Sequence, residues 1–172
     1  MLLLLGSVES GRADAAKLIA PTEVCPNRPA SGGKAAMKKA RQSMNCMVNY
    51  ARQTKGLRRY KVSRDLTWSA GRKAADIRRC GFRHNACGRH FSFWIRRSGY
   101  LGEGGWKAAE NIAWGSGRAG NVRRIFIAWM KSPGHRKAIL NRNYSDVGSG
   151  VIKGRFQGHR GARVWVLHFG DN

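Results

Sequence analysis

The spacing of apolar residues predicts helices in the first two thirds of the chain. Between 34 and 55, apolar residues recur at steps of three and four, as on one face of an amphipathic helix, and Gly56 follows where a helix commonly ends. Ser63 is a typical N-cap for a second helix. The apolar face of that helix consists of Leu66, Ala70, Ala74 and Ile77.

Two more amphipathic helices are predicted downstream. The first spans 89–98 and ends at Gly99; its inward residues are Phe91, Trp94 and Ile95. Asn121 is a suitable N-cap for the second. The buried face of this helix is formed by Val122, Ile125, Phe126, Trp129 and Met130.

A tight turn then leads into a helix that carries a histidine in its first turn. Ser132 suits the N-cap and Pro133 the first helical position, where a missing N–H costs nothing. The positive end of the helix dipole disfavours a charged imidazole at His135. We therefore expect His135 to be neutral, and so able to accept a proton or bind a metal.

Strand patterns are concentrated at the end of the chain. Residues 147–152 and 164–169 are short and rich in β-formers, a Gly- and Arg-rich loop joins them, and a shorter strand is predicted at 111–114. Helices that come early and strands that come late favour an α+β fold over a parallel α/β sheet. The pattern predicts an irregular segment over 1–33 and a folded domain over 34–172.

The N-terminal segment has some features of an export signal. The leucine run that follows Met1 is too short to span a membrane and lacks a basic flank, whereas 12–16 resembles a cleavage zone of small residues. We expect the remnant of a signal peptide, with an ordinary N-terminus as the alternative. No other segment is a transmembrane candidate, so we do not expect an integral membrane protein.

The charge balance restricts the class of partner. The chain has 33 Lys and Arg against 9 Asp and Glu, for a net charge of +24. Such a field attracts nucleic acid, anionic lipid or acidic cell-wall polymers. The basic residues are spread along the chain, so a solvated basic surface without a dedicated partner is an equally good interpretation.

Four cysteines without a Cys-x-x-Cys pair argue against a zinc ribbon or a thioredoxin-type site. Two disulfides in an oxidising compartment are the better interpretation. Of the three connectivities, we favour Cys80–Cys87 and Cys25–Cys46, because each pair is local in sequence.

Several motifs in a fixed order resemble one family. They are Cys-Met-Val-Asn-Tyr-Ala-Arg at 46–52, Phe-Arg-His at 82–84, Ala-Glu-Asn-Ile-Ala-Trp-Gly at 109–115, Trp-Met-Lys-Ser-Pro-Gly-His-Arg at 129–136, Ile-Leu-Asn at 139–141 and Val-Gly-Ser-Gly at 147–150. The chain resembles the CAP superfamily (cysteine-rich secretory proteins, antigen 5 and pathogenesis-related 1), and in particular its bacterial SCP-domain branch. The resemblance implies a secreted protein with a three-layer α-β-α sandwich.

The resemblance also implies a cleft where two histidines and acidic residues meet, which binds a divalent metal in some members. His84 and His135 match the two histidines, and Glu110 matches the acid. No Asp or Glu lies between Glu110 and Asp146, so a second family glutamate is absent. Zinc is the metal expected from these ligand types, held weakly by His84, His135 and, as a third ligand, Glu110.

The residues themselves leave alternatives open. Glu110 precedes an apolar strand and, when partly buried, needs a partner such as a histidine or a cluster of backbone N–H groups. It is either a functional acid or a structural core acid that bonds backbone amides. His84 lies inside the loop that Cys80–Cys87 would close, or is a surface-loop histidine. His168, on the last strand, is expected to be a packed or exposed strand residue and is not among the candidate site residues.

Together these observations favour a secreted, monomeric, non-enzymatic binding module for lipid, sterol or an anionic cell-wall polymer. One alternative is a metal-dependent hydrolase in the same cleft, with Glu110 as the base. Another is an electrostatic binder of nucleic acid or other polyanions. No nucleophilic serine or cysteine lies in a recognised motif, which weighs against catalysis.

Overall fold

A four-stranded sheet with helices on both faces forms the domain. The computed structural model describes residues 17–102 and 106–172. The helices are α1 (Gly33–Thr54), α2 (Arg64–Cys80), α3 (Phe93–Arg97), α4 (Val122–Lys131) and α5 (Pro133–Ile139). The strands are β1 (Lys61–Val62), β2 (Lys107–Gly115), β3 (Asp146–Phe156) and β4 (His159–Asp171), and short 3₁₀ turns lie at Ala86–Gly88 and Gly117–Gly120.

The strands are arranged in the order β1-β3-β4-β2. β4 pairs antiparallel with both β3 and β2, as expected for late strands, whereas the two-residue β1 pairs parallel to β3 and was not predicted. The predicted Gly- and Arg-rich loop is wrong in extent: β3 and β4 continue through it to a two-residue turn. Gln157 and Gly158 have φ of 48° and 79°, the left-handed pair that matches the twist of a hairpin.

The sheet separates two apolar cores, which confirms the three-layer α-β-α sandwich. Trp165, Leu167 and Phe169 of β4 pack with α1 and α4, while Val164 and Val166 pack against α2. This split follows from the alternation of side chains along a strand. β3 presents glycines to α2, and a Cβ on Gly148 would collide with the backbone of α2 at Leu66 and Thr67.

The first two predicted helices are confirmed. α1 ends one residue before the predicted boundary, with Gly56 at φ 64° beyond it. In α2 the Ser63 hydroxyl accepts from the Leu66 N–H at 3.2 Å, and the predicted apolar face is fully buried. α4 also buries its predicted residues, and Asn121 occupies the N-cap without a side-chain capping bond.

The predicted start of the third helix is wrong. α3 begins four residues later than expected, because Arg89 is extended (φ −97°, ψ 127°) and its guanidinium reaches the Asp76 carboxylate at 3.0 Å. A turn from His90 to Phe93 then precedes the helix. Ile95 is buried as predicted.

Both predicted disulfides are present. Cys80–Cys87 closes the loop after α2, and Cys25–Cys46 ties the N-terminal segment to α1. Leu18, Ala20 and Ala30 of that segment are at most 2% exposed, so the segment is part of the main core. The expected signal segment lies within 1–16, outside the described residues. None of the helices between 17 and 102 or between 106 and 172 is long and apolar enough to cross a membrane.

Candidate functional site

Two neighbouring residues of β2 connect the two outer layers of the domain. Glu110 and Asn111 point to opposite faces of the sheet, as consecutive strand residues must. Glu110 meets histidines on the α2 side, and the Asn111 amide donates to the backbone carbonyl of His135 on α5 at 3.0 Å. The edge strand β2 therefore fixes both sides of the cleft.

The Glu110 carboxylate is held between two imidazoles. Oε1 lies 2.7 Å from His84 Nδ1, and Oε2 lies 2.9 Å from His168 Nε2. The side chains of Glu110 and His168 are 1% and 0% exposed, whereas that of His84 is 54% exposed. The β2–β4 register places Glu110 directly opposite His168. Glu110 is thus a buried acid whose partners are histidines, one of the two kinds of partner that the sequence suggested, and not backbone amides.

A buried chain of hydrogen bonds continues behind the carboxylate. Since an ionised carboxylate only accepts, His168 donates through Nε2, and its Nδ1 faces the Ser69 hydroxyl at 2.7 Å. Ser69, His168 and Glu110 are linked like a catalytic triad. Ser69 is 0% exposed, however, so no substrate reaches its hydroxyl. The chain serves to orient Glu110.

A buried lysine positions the exposed side of the cleft. Lys73 of α2 is 0% exposed, and its ammonium donates to the backbone carbonyl of His84. The loop that carries His84 is also closed by Cys80–Cys87. The covalent bridge and the lysine together restrict where the His84 imidazole can lie.

The opposite charges of Glu110 and Lys73 stabilise each other in this cluster. Burial raises the pKa of Glu110, but the hydrogen bonds to His168 and His84 outweigh it and leave the pKa below its usual value. Burial lowers the pKa of Lys73, and the nearby Glu110 carboxylate partly offsets that effect. The carboxylate is therefore ionised and compensates the buried ammonium.

His135 lies across the cleft and is half-buried. Its Nδ1 is 2.8 Å from the Ser132 hydroxyl, which is why Ser132 occupies the N-cap without capping the backbone. Burial, followed by the charge of His84, lowers the pKa of His135. A lowered pKa agrees with the neutral imidazole that we expected at His135. The main cause of the lowered pKa is burial, whereas the expectation rested on the helix dipole.

Glu110 is not free to join the two histidines as a metal ligand in this arrangement, because both of its oxygens already face imidazole nitrogens. His84 and His135 form their hydrogen bonds through Nδ1, to Glu110 and Ser132, which leaves Nε2 as the nitrogen that could bind a metal. In the part of the chain that the structure describes, no group of three or more His, Cys, Asp or Glu side chains is arranged to hold a metal. The zinc expected at His84, His135 and Glu110 stays a prediction.

A family comparison agrees with this architecture. The model of the cysteine-rich secretory protein family, CAP, matches residues 47–169. The protein belongs to the CAP family. Among curated relatives, the protein YkwD of Bacillus subtilis, whose description is "uncharacterized", is 33% identical over 124 residues. That match covers 72% of this chain and 44% of YkwD, so the chain spans less than half of the relative's length.

Solved structures of bacterial proteins, one of them described as containing an SCP domain, have a similar fold. An extracellular protein containing an SCP domain from Bacillus anthracis has a TM-score of 0.66 at 19% identity, over 80% of this chain and 43% of that one. An outer surface protein of Borrelia burgdorferi has the same TM-score and identity, over 79% of this chain and 95% of that protein. At these identities the likeness shows the fold alone.

In this CAP domain, three buried site residues were missed by sequence reasoning: Ser69, Lys73 and His168. Ser69 and Lys73 occupy the same helical face as Leu66 and Ala70, so polar residues on a buried stripe were an available signal. His168 gave no such signal, because its pairing with Glu110 depends on strand register. His168 is a packed residue of β4, as expected, and its two hydrogen bonds also make it a partner of Glu110.

Proposed function

We propose that this CAP domain acts outside the cell as a non-enzymatic module that docks onto an anionic lipid surface. The observation that carries the proposal is an exposed cluster of aromatic and arginine side chains on α2, α3 and the loop between them. We call it the aromatic–arginine face. It consists of Trp68, Arg72, Arg89, Phe93 and Trp94.

The rings of this face are held in place and reach solvent. Trp68 is 47% and Phe93 36% exposed, and both make edge-to-face contacts with Trp94, at 5.7 and 5.0 Å between ring centroids. The Trp94 indole N–H donates to the buried Asp76 carboxylate at 2.6 Å. Preordered rings lose little conformational entropy when they enter an interface.

Arginines surround the rings. Arg72 lies 4.7 Å from the Trp94 ring centroid and 5.9 Å from that of Trp68, and Arg89 lies 5.3 Å from that of Phe93. Between 63 and 100 the chain has nine basic and two acidic residues. Aromatic rings at the headgroup level, flanked by arginines that meet anionic lipids, are a recognised membrane-surface pattern.

Secretion is part of the proposal. Two disulfides persist in an oxidising compartment, and the descriptions of the B. anthracis and B. burgdorferi structures name an extracellular and an outer surface protein. These observations support an extracellular location for this chain.

The experiment is cosedimentation with phosphatidylglycerol and phosphatidylcholine vesicles, using disulfide-intact protein. We expect binding to the anionic vesicles that weakens with salt. The double variant Trp68→Ser/Phe93→Ser should lose about tenfold or more in affinity, since burying each ring fully contributes about 1.5–3 kcal/mol. Val62→Ser is the matched control, because Val62 is 53% exposed and lies outside the face.

Two results would contradict the proposal. One is equal binding by the double variant and the Val62 control. The other is tight binding to duplex DNA without binding to vesicles, which would assign the charge to a soluble polyanion.

Sterol, cell-wall polymer and hydrolase functions remain as alternatives from the same family. A hydrolase using Glu110 as base is less well supported, since two imidazoles already occupy that carboxylate. Metal analysis of the purified protein, with activity assays of a His84→Ala/His135→Ala variant, tests that alternative.

A further inference from the structure

A second basic feature lies at the start of β2 and contains none of the cleft residues. A cavity of about 270 Å³ opens between the end of α1, the loop before β1, the loop before β3 and the first residue of β2. Its charged lining residues are Arg52, Arg58, Arg59, Lys107, Arg142 and Asp171. We call this cavity the basic pocket; five cations share it with one carboxylate.

Most of these cations form no ion pair with the residues that the structure describes. Among residues 17–102 and 106–172, Arg58, Arg59, Lys107 and Arg142 take part in no ion pair. Like charges around one small cavity repel one another. An anion in the basic pocket would relieve that repulsion.

Arg52 supplies a rigid, charged wall. It is 2% exposed and donates from Nε to the Arg58 carbonyl at 2.8 Å and from Nη1 to the Ile139 and Asn141 carbonyls at 2.9 and 2.8 Å. Its guanidinium lies 3.4 Å from the centroid of the Tyr60 ring. Arg52 therefore contributes a fixed positive charge to the wall of the pocket.

The size and donors of the pocket favour a small phosphate ester. Its volume is below the range of about 300–1,000 Å³ typical of drug-sized ligands, so a lipid chain or an extended polymer does not fit inside. Guanidinium groups match phosphate oxygens in charge and geometry. Asp171 would repel a bare phosphate but can accept a hydrogen bond from a hydroxyl beside it.

We propose that the basic pocket binds a hydroxyl-bearing phosphate ester, of which glycerol phosphate is the simplest example. The ester is either a soluble molecule or the headgroup of a phospholipid, since both present the same chemistry. This site is independent of the aromatic–arginine face, because the two share no residue.

The test is isothermal titration of the full disulfide-intact chain with glycerol 3-phosphate and with inorganic phosphate. The variant Arg59→Gln/Arg142→Gln should weaken glycerol 3-phosphate binding by about tenfold or more, since it removes charge-assisted hydrogen bonds. Both side chains are exposed, so folding should be unaffected. Arg64→Gln/Arg124→Gln removes the same charge from exposed positions outside the pocket and should leave the affinity within about twofold.

Asp171→Asn should reduce the preference for glycerol 3-phosphate over inorganic phosphate. Equal weakening in both arginine double variants, or no saturable binding of glycerol 3-phosphate, would overturn the proposal. Competition by phosphatidylglycerol vesicles assigns the ester to a lipid headgroup, and its absence assigns it to a soluble ligand; either result retains the pocket. Trp68→Ser/Phe93→Ser should retain glycerol 3-phosphate binding, which separates this site from the proposed membrane face.

Discussion

Replacing Glu110 with glutamine should destabilise the domain far more than replacing an exposed acid. The substitution Glu110→Gln keeps the shape of the side chain but removes the negative charge between His84 and His168. It also leaves the fully buried Lys73 ammonium with a backbone carbonyl as its hydrogen-bond acceptor and no facing carboxylate of Glu110. The cost therefore has two sources, a lost charge-assisted bond and a buried cation that loses one of its two nearby carboxylates, Glu110 and Asp76.

The magnitude follows from burial. A hydrogen bond to a charged group contributes about 1.5–3 kcal/mol, and the His168 bond counts in full because both side chains are buried. The His84 bond counts for less, since its imidazole is 54% exposed and screened by solvent. Breaking a buried ionic interaction costs about 3–5 kcal/mol. Since glutamine still accepts one bond, we expect a loss near the lower end, about 3 kcal/mol.

Urea denaturation of disulfide-intact protein measures this loss. With a slope of about 2 kcal/mol per M, the midpoint should fall by about 1.5 M. Asp65→Asn is the control: Asp65 is exposed in the first turn of α2, where its interaction with the helix dipole contributes at most about 1 kcal/mol. A double-mutant cycle with Lys73→Met should give a coupling of about 1 kcal/mol or more between Lys73 and Glu110.

Two outcomes would refute this reasoning. A loss below about 1 kcal/mol for Glu110→Gln would mean that the carboxylate is not the partner that the buried cluster requires. Additivity of the Lys73 and Glu110 variants within about 0.5 kcal/mol would show that the lysine does not depend on the glutamate.

Two further predictions concern pH and packing. Folding lowers the pKa of His135 from its ordinary value of 6.5. At pH values near and below 6.5, the unfolded chain therefore binds more protons than the folded chain. The urea midpoint should fall as the pH drops from about 7.5 to about 5.5. His135→Asn should flatten that slope, and an unchanged slope would contradict the role of His135. Gly148→Ala should cost about 1–3 kcal/mol in thermal unfolding, because its Cβ meets the α2 backbone. Gly71→Ala, inside α2 with open space around its Cβ, should instead stabilise by about 0.5–1 kcal/mol; similar effects of the two would contradict the close approach.

The helical layers could be predicted from the sequence because their signals are local. The three- and four-residue spacing in α1 and α2, and Ser63 at the start of α2, depend on residues that lie within a few turns of one another. Polar Ser69 and Lys73 on the buried face of α2 were readable in the same way. α3 was predicted too long, because the ion pair from Arg89 to Asp76 is a tertiary interaction that helical periodicity does not contain.

The sheet side of the site could not be predicted, because it depends on register. The meeting of Glu110 with His168 depends on the register between β2 and β4, which are far apart in sequence. The length of β4 was also missed, because it begins directly after a two-residue turn at Gln157 and Gly158. Glutamine is not a typical residue for a left-handed turn position, so the sequence favoured a longer loop there. One residue of slip would have turned His168 to the opposite face of the sheet and away from Glu110.

The position of β4 has a consequence for how the chain is made. β4 is the last strand in sequence but lies between β3 and β2, and it supplies the antiparallel partner of both. A growing chain that lacks residues 159–171 therefore has no way to join β2 to β3. The sheet is thus completed only after residues 159–171 have been synthesised, although β2 and β3 precede them in the chain.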